Sequence, residues 1–472
     1  MKLYNSETRE IEELKTHNPN EVLLYTCGPT VYHFAHIGNL RTYIMEDVLE
    51  KALTYLGYNV KRVMNITDVG HLSGDSDDGE DKMLKGAERE HKSVMEIAEQ
   101  YTQAFKDDCE KLNIKWPEIV VSATSQIDEY IKIISTLLAK DFAYISEGNV
   151  YFDTSKLDNY YRFGNQNQDE LVVGARDDVE EDKGKKNKND FVLWFTKSKF
   201  ENHALKWDSP WGVGYPGWHI ECSGISHKYL GEYLDIHCGG VDNKFPHHTN
   251  EIAQTESFVG HKWCNHWFHS EHLNDQSGKM SKSKGEFLTL SVLENKGYSA
   301  MVYRLFCLQS HYRRQLVFSY EGMNMAKAAY EKLVKRVQKL QQDSSEINQE
   351  EYNIFNNKFK SALEKDLNTS LALTVVFDVL KSEVNNNTKI KLIKDFDKVL
   401  SLNLVNEIGN LPKEEVQEVN KELEEYISLK IEERKLAKQN KDYALADKIR
   451  AELSAKGIEL IDTPQGTTFK VK

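Results

Sequence analysis

The chain is sparing with cysteine, tryptophan and proline: six, seven and eight of them, respectively, in 472 residues. The thiols Cys27, Cys109, Cys222, Cys238, Cys264 and Cys307 include no Cys-x-x-Cys pair. Cysteines scattered over a chain this long exclude a disulfide framework and leave reduced side chains that pack or bind metal. There is no run of 18 apolar residues, which excludes a membrane-crossing helix. Met1 to Leu14 is polar, mixed in charge and without the apolar core of a signal peptide, so the expected location is the cytoplasm. A basic excess is also missing. The net charge of −13 argues against broad, sequence-independent nucleic-acid binding. Local exceptions remain: from Ile427 to Arg450 seven lysines and arginines stand against four acids.

What is present reads as alternating strand and helix. Residues 21–27, 59–66, 232–238 and 264–271 are short, apolar or β-branched, and bounded by turn residues, as strands are. Between the first two, Leu40 to Leu56 carries Ile44, Val48, Leu49, Ala52, Leu53 and Leu56 at helical spacing. Strand, helix, strand of this kind is a βαβ unit of a parallel sheet, which binds its ligand at the carboxyl ends of the strands. After about residue 312 glycine and proline thin out, and helical patterns follow at 325–340, 353–366, 370–384, 389–401, 415–438 and 442–456. In the first of these, Lys332, Lys335, Arg336 and Lys339 share a face, opposite an apolar stripe. Residues 457–472 read as two strands around Thr463-Pro464-Gln465-Gly466. Residues 73–82 are acidic but do not form a calcium loop: setting Gly79 at the required glycine puts Lys85 at the last ligand position. Residues 183–189 are a basic, glycine-containing surface turn.

Two motifs suit a nucleoside triphosphate. His36-Ile37-Gly38 follows the first strand, where a helix N-terminus and an imidazole can meet phosphate oxygens and a glycine lets a flat base approach. Lys279-Met280-Ser281-Lys282-Ser283 supplies two point charges and two hydroxyls. Four residues suit a metal. His247 and Glu251, four apart, share a helix face, while Cys27 ends the first strand and Cys222 lies in Gly217-Trp218-His219-Ile220-Glu221-Cys222-Ser223. Two thiolates, an imidazole and a carboxylate fit tetrahedral zinc, although spacing alone does not select them.

The chain resembles cysteinyl-tRNA synthetases, class I aminoacyl-tRNA synthetases. The resemblance is carried by Tyr25 to Tyr32, Asn65-Ile66-Thr67-Asp68, Ser209-Pro210-Trp211-Gly212, Gly217 to Ser223, Asp235-Ile236-His237, Phe245-Pro246-His247-His248, Asn250 to Gln254, Lys279 to Ser283 and Asp462 to Thr467. It implies an α/β fold: a Rossmann-type parallel-sheet catalytic domain with an insertion, then an all-helical region and a small anticodon-binding domain. The implied divisions are 1–116 and 206–270 for the two catalytic halves, 117–205 for the insertion, 271–312 for the lysine loop and stem-contact region, 313–405 for a tRNA-binding helical bundle and 406–472 for the anticodon-binding domain. It also implies a ligase that converts L-cysteine and ATP to cysteinyl-adenylate and transfers cysteine to the 3′ end of tRNA(Cys).

One zinc ion per chain, on Cys27, Cys222, His247 and Glu251, would select the substrate thiolate, so no editing domain is expected. Gly28, Thr67 and Trp218 would contact cysteine. His36, Gly38, Asn39, Asp242, Lys279 and Lys282 would contact ATP, with Mg²⁺; His36, Lys279 and Lys282 would act in catalysis. The family implies a monomer. Two positions depart from its pattern: Asn39 stands for a second histidine and cannot be cationic, and Thr249 stands where glutamate is common. Two other functions fit parts of the sequence. A mycothiol-pathway ligase shares the catalytic part but lacks the full tRNA-binding end. A non-catalytic, zinc-containing RNA-binding protein would keep only the fold.

Overall fold

Short runs rich in β-branched and apolar residues line up as one parallel sheet: β1 (Glu21–Thr26), β2 (Asn59–Ile66), β3 (Ile119–Ser122), β4 (Leu234–Gly240) and β5 (Cys264–Ser270). Their order is β5-β4-β1-β2-β3, so the chain winds outward from β1 in both directions. Central strands of such a sheet are covered on both faces, which is why Val22 to Thr26 is continuously buried instead of alternating. The crevice where the winding reverses lies between β1 and β4, beyond their carboxyl ends. Cys27 sits there, its N–H donating to Cys238 O at 3.3 Å. The computed structural model describes residues 1–68, 82–163, 184–197, 205–275, 278–279, 287–410, 421–463 and 466–471.

The four expected strands and the helix after β1 are present. That helix, α1 (Ile37–Tyr55), begins three residues before the expected Leu40, because His36 caps it. The apolar face of α1 is buried, and so is much of the polar remainder: Arg41, Glu46, Asp47 and Glu50. Arginines from distant segments lie against the three carboxylates, although burial still pushes Glu46 up to about 8. Arg62 of β2 lies 3.4 Å from Glu46 and 3.2 Å from Glu50, and Arg304 lies 2.6 Å from Asp47. Arg304 also donates to Leu400 O and Leu112 O, tying α1 to the later helices.

The strand β3 was not expected. It pairs with β2, so the sheet runs past residue 116 into the stretch read as insertion. The rest of that stretch holds a helix, Ile127–Ala139, and strands Ala143–Ser146, Asn149–Phe152 and Phe191–Phe195, which join Tyr215–Pro216 in a four-stranded antiparallel sheet. The basic turn before Asp190 is held by that buried carboxylate, which accepts from the N–H of Asn187 and of Thr154.

Two compact units form, Met1–Asn410 and Leu411–Lys472. The first ends after a short turn, Val405–Glu407, in which Glu407 accepts from Gln338 Nε2 at 2.7 Å. In the second, helices Lys421–Gln439 and Tyr443–Ala455 and a hairpin, Ile458–Thr463 with Gly466–Val471, enclose Ile427, Ile449, Leu453, Ile458 and Leu460. Within the basic stretch Arg434 is buried, and Lys430 and Lys435 pair with Glu433 and Glu432.

Candidate active site and metal centre

The residues Cys27, Cys222, His247 and Glu251 come from three places in the chain and converge at the β1–β4 crevice. Cys27 follows β1, Cys222 lies in α2 (His219–Leu230), and His247 and Glu251 lie one turn apart on α3 (His247–Val259). Cys27 Sγ is 3.9 Å from Cys222 Sγ, Cys222 Sγ is 3.5 Å from His247 Nε2, and His247 Nε2 is 3.0 Å from Glu251 Oε1. Bonds of 2.0–2.3 Å to a tetrahedral zinc would set donor atoms about 3.3–3.8 Å apart. The observed spacings scatter around that range, so these side chains fit the ion.

Electrostatics favour metal-ready protonation states at two of the four. Burial pushes the Cys222 thiol up, but the Cys27 thiol and the imidazole of His247 bring it down to about 6. Burial raises Glu251 too, yet His237 and His247 hold it at about 2. Cys27 goes the other way, raised well above the ordinary thiol range by burial and by Cys222 beside it. The pair thus shares one readily lost proton. A cation at this point is what favours loss of the second.

Histidines surround this group. His219 Nδ1 is 3.1 Å from His247 Nδ1, His237 Nε2 is 2.8 Å from Glu251 Oε2, and His269 Nε2 is 2.8 Å from His248 Nδ1. Such partners fix the ring and carboxylate orientation of metal ligands. His248 Nε2 lies 3.3 Å from Cys27 Sγ, which makes a second set of donors, Cys27, His237, His248 and Glu251. Reading the sequence residue by residue did not single these histidines out as a group. The available signal was density: nine of the 16 histidines fall between residues 219 and 272.

Gly28, Thr67 and Trp218 lie beside the donors. Asn65 organises two of them: its Oδ1 accepts from Gly28 N at 2.8 Å, and its Nδ2 donates to Thr67 Oγ1 at 3.0 Å. Thr67 in turn donates to Glu221 Oε2 at 2.9 Å. Gly28 is required by close approach, because a Cβ there would lie 1.5 Å from Asn65 O. Gly28→Ala is expected to force β1 and β2 apart at this end and to cost about 3 kcal/mol or more in urea unfolding; an unchanged midpoint would contradict the packing. Trp218 stacks on His247, ring centroids 4.1 Å apart at 12°. Gly217 lets its segment run against the insertion, where a Cβ would meet Val192 O at 2.0 Å.

The expected ATP contacts lie around the first turn of α1. His36 Nδ1 accepts from Gly38 N at 3.0 Å, so the ring proton sits on Nε2, a donor. Gly38 is half-buried and Asn39 exposed. Asp242 is exposed on the turn Val241–Lys244 that follows β4. That turn is held by the departure at Thr249, whose hydroxyl donates to Lys244 O at 2.7 Å. Lys279 ends a short strand, Gly278–Lys279, paired with Leu273–Asp275. Lys282 lies outside the described residues, as does most of the acidic stretch 73–82.

Comparison with known proteins decides the family. Residues 13–328 match the catalytic domain of class I (C) tRNA synthetases, and residues 358–407 match the DALR domain. The cysteine–tRNA ligase of Treponema denticola is 47% identical over 100% of this chain and 99% of its own length. The chain belongs to the cysteine–tRNA ligase family. Ligases of that name from Borrelia garinii and Brachyspira hyodysenteriae are 44% and 42% identical, over 100% and 99% of this chain and 99% of each relative. Among solved structures, methionyl-tRNA synthetase of Mycobacterium tuberculosis bound by methionyl-adenylate superimposes with TM-score 0.53 at 14% identity, covering 82% of this chain and 92% of that one. The leucyl enzyme of Agrobacterium radiobacter K84 in a ternary complex gives 0.56 at 10% identity, with 84% and 85% covered. At these identities the likeness speaks for the class I synthetase fold, the fold that membership of the ligase family requires.

Proposed function

We propose that this chain activates L-cysteine with ATP and transfers it to the 3′ end of tRNA(Cys). The observation that carries the reading is the convergence of Cys27, Cys222, His247 and Glu251, within 4.8 Å of one another, at the crevice onto which β1 leads, with His36 and Gly38 opening the next helix. In the first step a carboxylate oxygen of cysteine bonds to the α-phosphorus of ATP and the bond to the β-phosphate breaks, releasing pyrophosphate. In the second a terminal ribose hydroxyl of tRNA attacks the acyl carbon, loses its proton and displaces AMP. The phosphoanhydride supplies the leaving group, so no protein nucleophile is required. The work of the protein is alignment and charge stabilisation.

His36 donates through Nε2 to a phosphate oxygen, and Lys279 and Lys282 supply positive charge; Mg²⁺ accompanies the triphosphate. Asp242 offers an exposed acceptor at the crevice. Gly28, Thr67 and Trp218 hold the amino acid. Cys27, Cys222, His247 and Glu251 hold Zn²⁺, which supplies a soft Lewis acid that favours sulfur over oxygen.

The domain division follows the same reading, with residues 313–405 and 406–472 assigned to tRNA; the latter stretch contains the compact unit Leu411–Lys472. The chain acts as a monomer in the cytoplasm. Cysteine-dependent ATP–pyrophosphate exchange followed by tRNA(Cys) charging tests the function. A chain ending at Asn410 is expected to keep exchange within about threefold and to lose at least about 10²-fold in charging, the scale set by lost positioning. Equal charging by the shortened chain would overturn the tRNA assignment; no cysteine-dependent exchange by the full chain would overturn the function.

A further inference from the structure

We propose that Arg41 is a positioning residue for cysteine activation: it fixes the two chain segments that carry the Lys279 strand against α1, and so sets where that strand stands relative to His36. This rests on the reading of His36 and Lys279 as ATP contacts.

Arg41 is fully buried one turn beyond the start of α1. Its guanidinium is spent on backbone carbonyls, not on a carboxylate. It donates to Glu271 O at 2.5 Å, His272 O at 2.7 Å, Arg314 O at 2.6 Å and His311 O at 3.4 Å. A buried charge needs hydrogen-bond partners, and here both terminal nitrogens of the guanidinium find them, joining three stretches of chain, while Nε is left unpaired. Glu271 and His272 lead directly into Leu273–Asp275; His311 and Arg314 lead into Leu316–Val317. Those two strands pair in parallel, and Leu273–Asp275 pairs on its other side with Gly278–Lys279, Asn274 opposite Lys279. Arg41 therefore clips both chains at the base of the small sheet that bears Lys279.

The chain that returns after the lysine motif is also held to α1. Leu288 O accepts from Ile37 N at 2.9 Å, and the Phe287 ring lies 5.4 Å from that of His36. Ile37 O is in turn fixed by the buried Tyr303 hydroxyl at 2.6 Å. The start of α1, which presents His36 and Gly38, is thus the common reference for the segments on both sides of the motif. Only a planar fork reaches four carbonyls on two chains; a lysine nitrogen at this point serves one of them well. Nothing in the acylation of tRNA needs the pyrophosphate leaving group, so the clip matters for the first step and not for the second.

The test is Arg41→Lys in the full-length, zinc-loaded chain. Cysteine-dependent exchange is expected to fall about 10²-fold in kcat, the cost of a misplacement on the order of 1 Å. The KM for cysteine, the zinc content, and single-turnover transfer from preformed cysteinyl-adenylate to tRNA are expected to stay within about threefold, because the metal site and the acyl-transfer step are untouched. Exchange kept within about threefold overturns the proposal, and so does a parallel loss in transfer, which marks a merely structural role. If Arg41→Lys does not fold, Tyr303→Phe tests the other tether: a several-fold fall in exchange kcat at constant cysteine KM supports the proposal, and an unchanged kcat overturns it. Absence of exchange in the unsubstituted chain would instead strike the functional reading on which the proposal stands.

Discussion

Lys282→Ala is expected to lower cysteine-dependent pyrophosphate exchange by about 10³-fold in kcat, with the KM for cysteine little changed. Charge develops on the phosphoryl oxygens as the α-phosphorus accepts its fifth oxygen. Removing one well-aimed donor from such a centre typically costs 10²–10³-fold, about 3–4 kcal/mol. Lys282 belongs at the upper end, as a full cation and not a neutral dipole. Asn39 supplies the contrast. It is exposed and uncharged beside the half-buried Gly38, so Asn39→Ala is expected to cost less than about tenfold, the worth of one neutral hydrogen bond. Exchange rates of the two variants at saturating ATP check both statements. A loss below tenfold at Lys282, or a loss confined to cysteine binding, would remove that lysine from the phosphate site.

Cys222→Ser is the second large effect. It is expected to weaken zinc retention by at least about 10²-fold, exceeding the loss when only an outer partner is removed, and to take cysteine activation with it. Its value lies in what it separates. Cys27 and Glu251 belong to both sets of donors, whereas Cys222 and His247 belong only to the first. The first set is favoured because the Cys222 thiol is already lowered to about 6 by its neighbours, and because His237 is then left to brace Glu251 from outside. Metal analysis after dialysis decides between them. Zinc retained at one per chain in Cys222→Ser would point to His237 and His248 instead.

How much of this was legible before the fold was known follows from the range of the interactions. The strands β1, β2, β4 and β5 and the helix α1 announce themselves through local periodicity, and the start of α1 was misjudged only because a histidine is a rare cap. The strand Ile119–Ser122 has four residues and one fully buried side chain, so its pattern is too short to speak; only its register with Val63 to Ile66 makes it a strand. The charged residues of α1 look solvent-facing in sequence, and they are buried because Arg62 and Arg304 arrive from distant segments. The donors show the same limit. His247 and Glu251 share a helix face by spacing, but Cys27 and Cys222 meet them only through the β1–β4 crevice, which family resemblance supplied and residue spacing could not. The bracing histidines pair across separate elements, beyond the reach of helix or strand spacing, and the Arg41 clip was invisible because its four partners are distant carbonyls that every residue possesses.

The most direct test of the central claim compares cysteine and serine as substrates for pyrophosphate exchange by the same zinc-loaded preparation. An apolar pocket separates such isosteres by about 10²-fold, whereas a site that binds the thiol specifically reaches 10⁴ or more. The account predicts kcat/KM for cysteine above that for serine by at least about 10⁴, falling toward 10² in protein stripped of zinc. A metal-free chain that discriminated as strongly as the loaded one would contradict it.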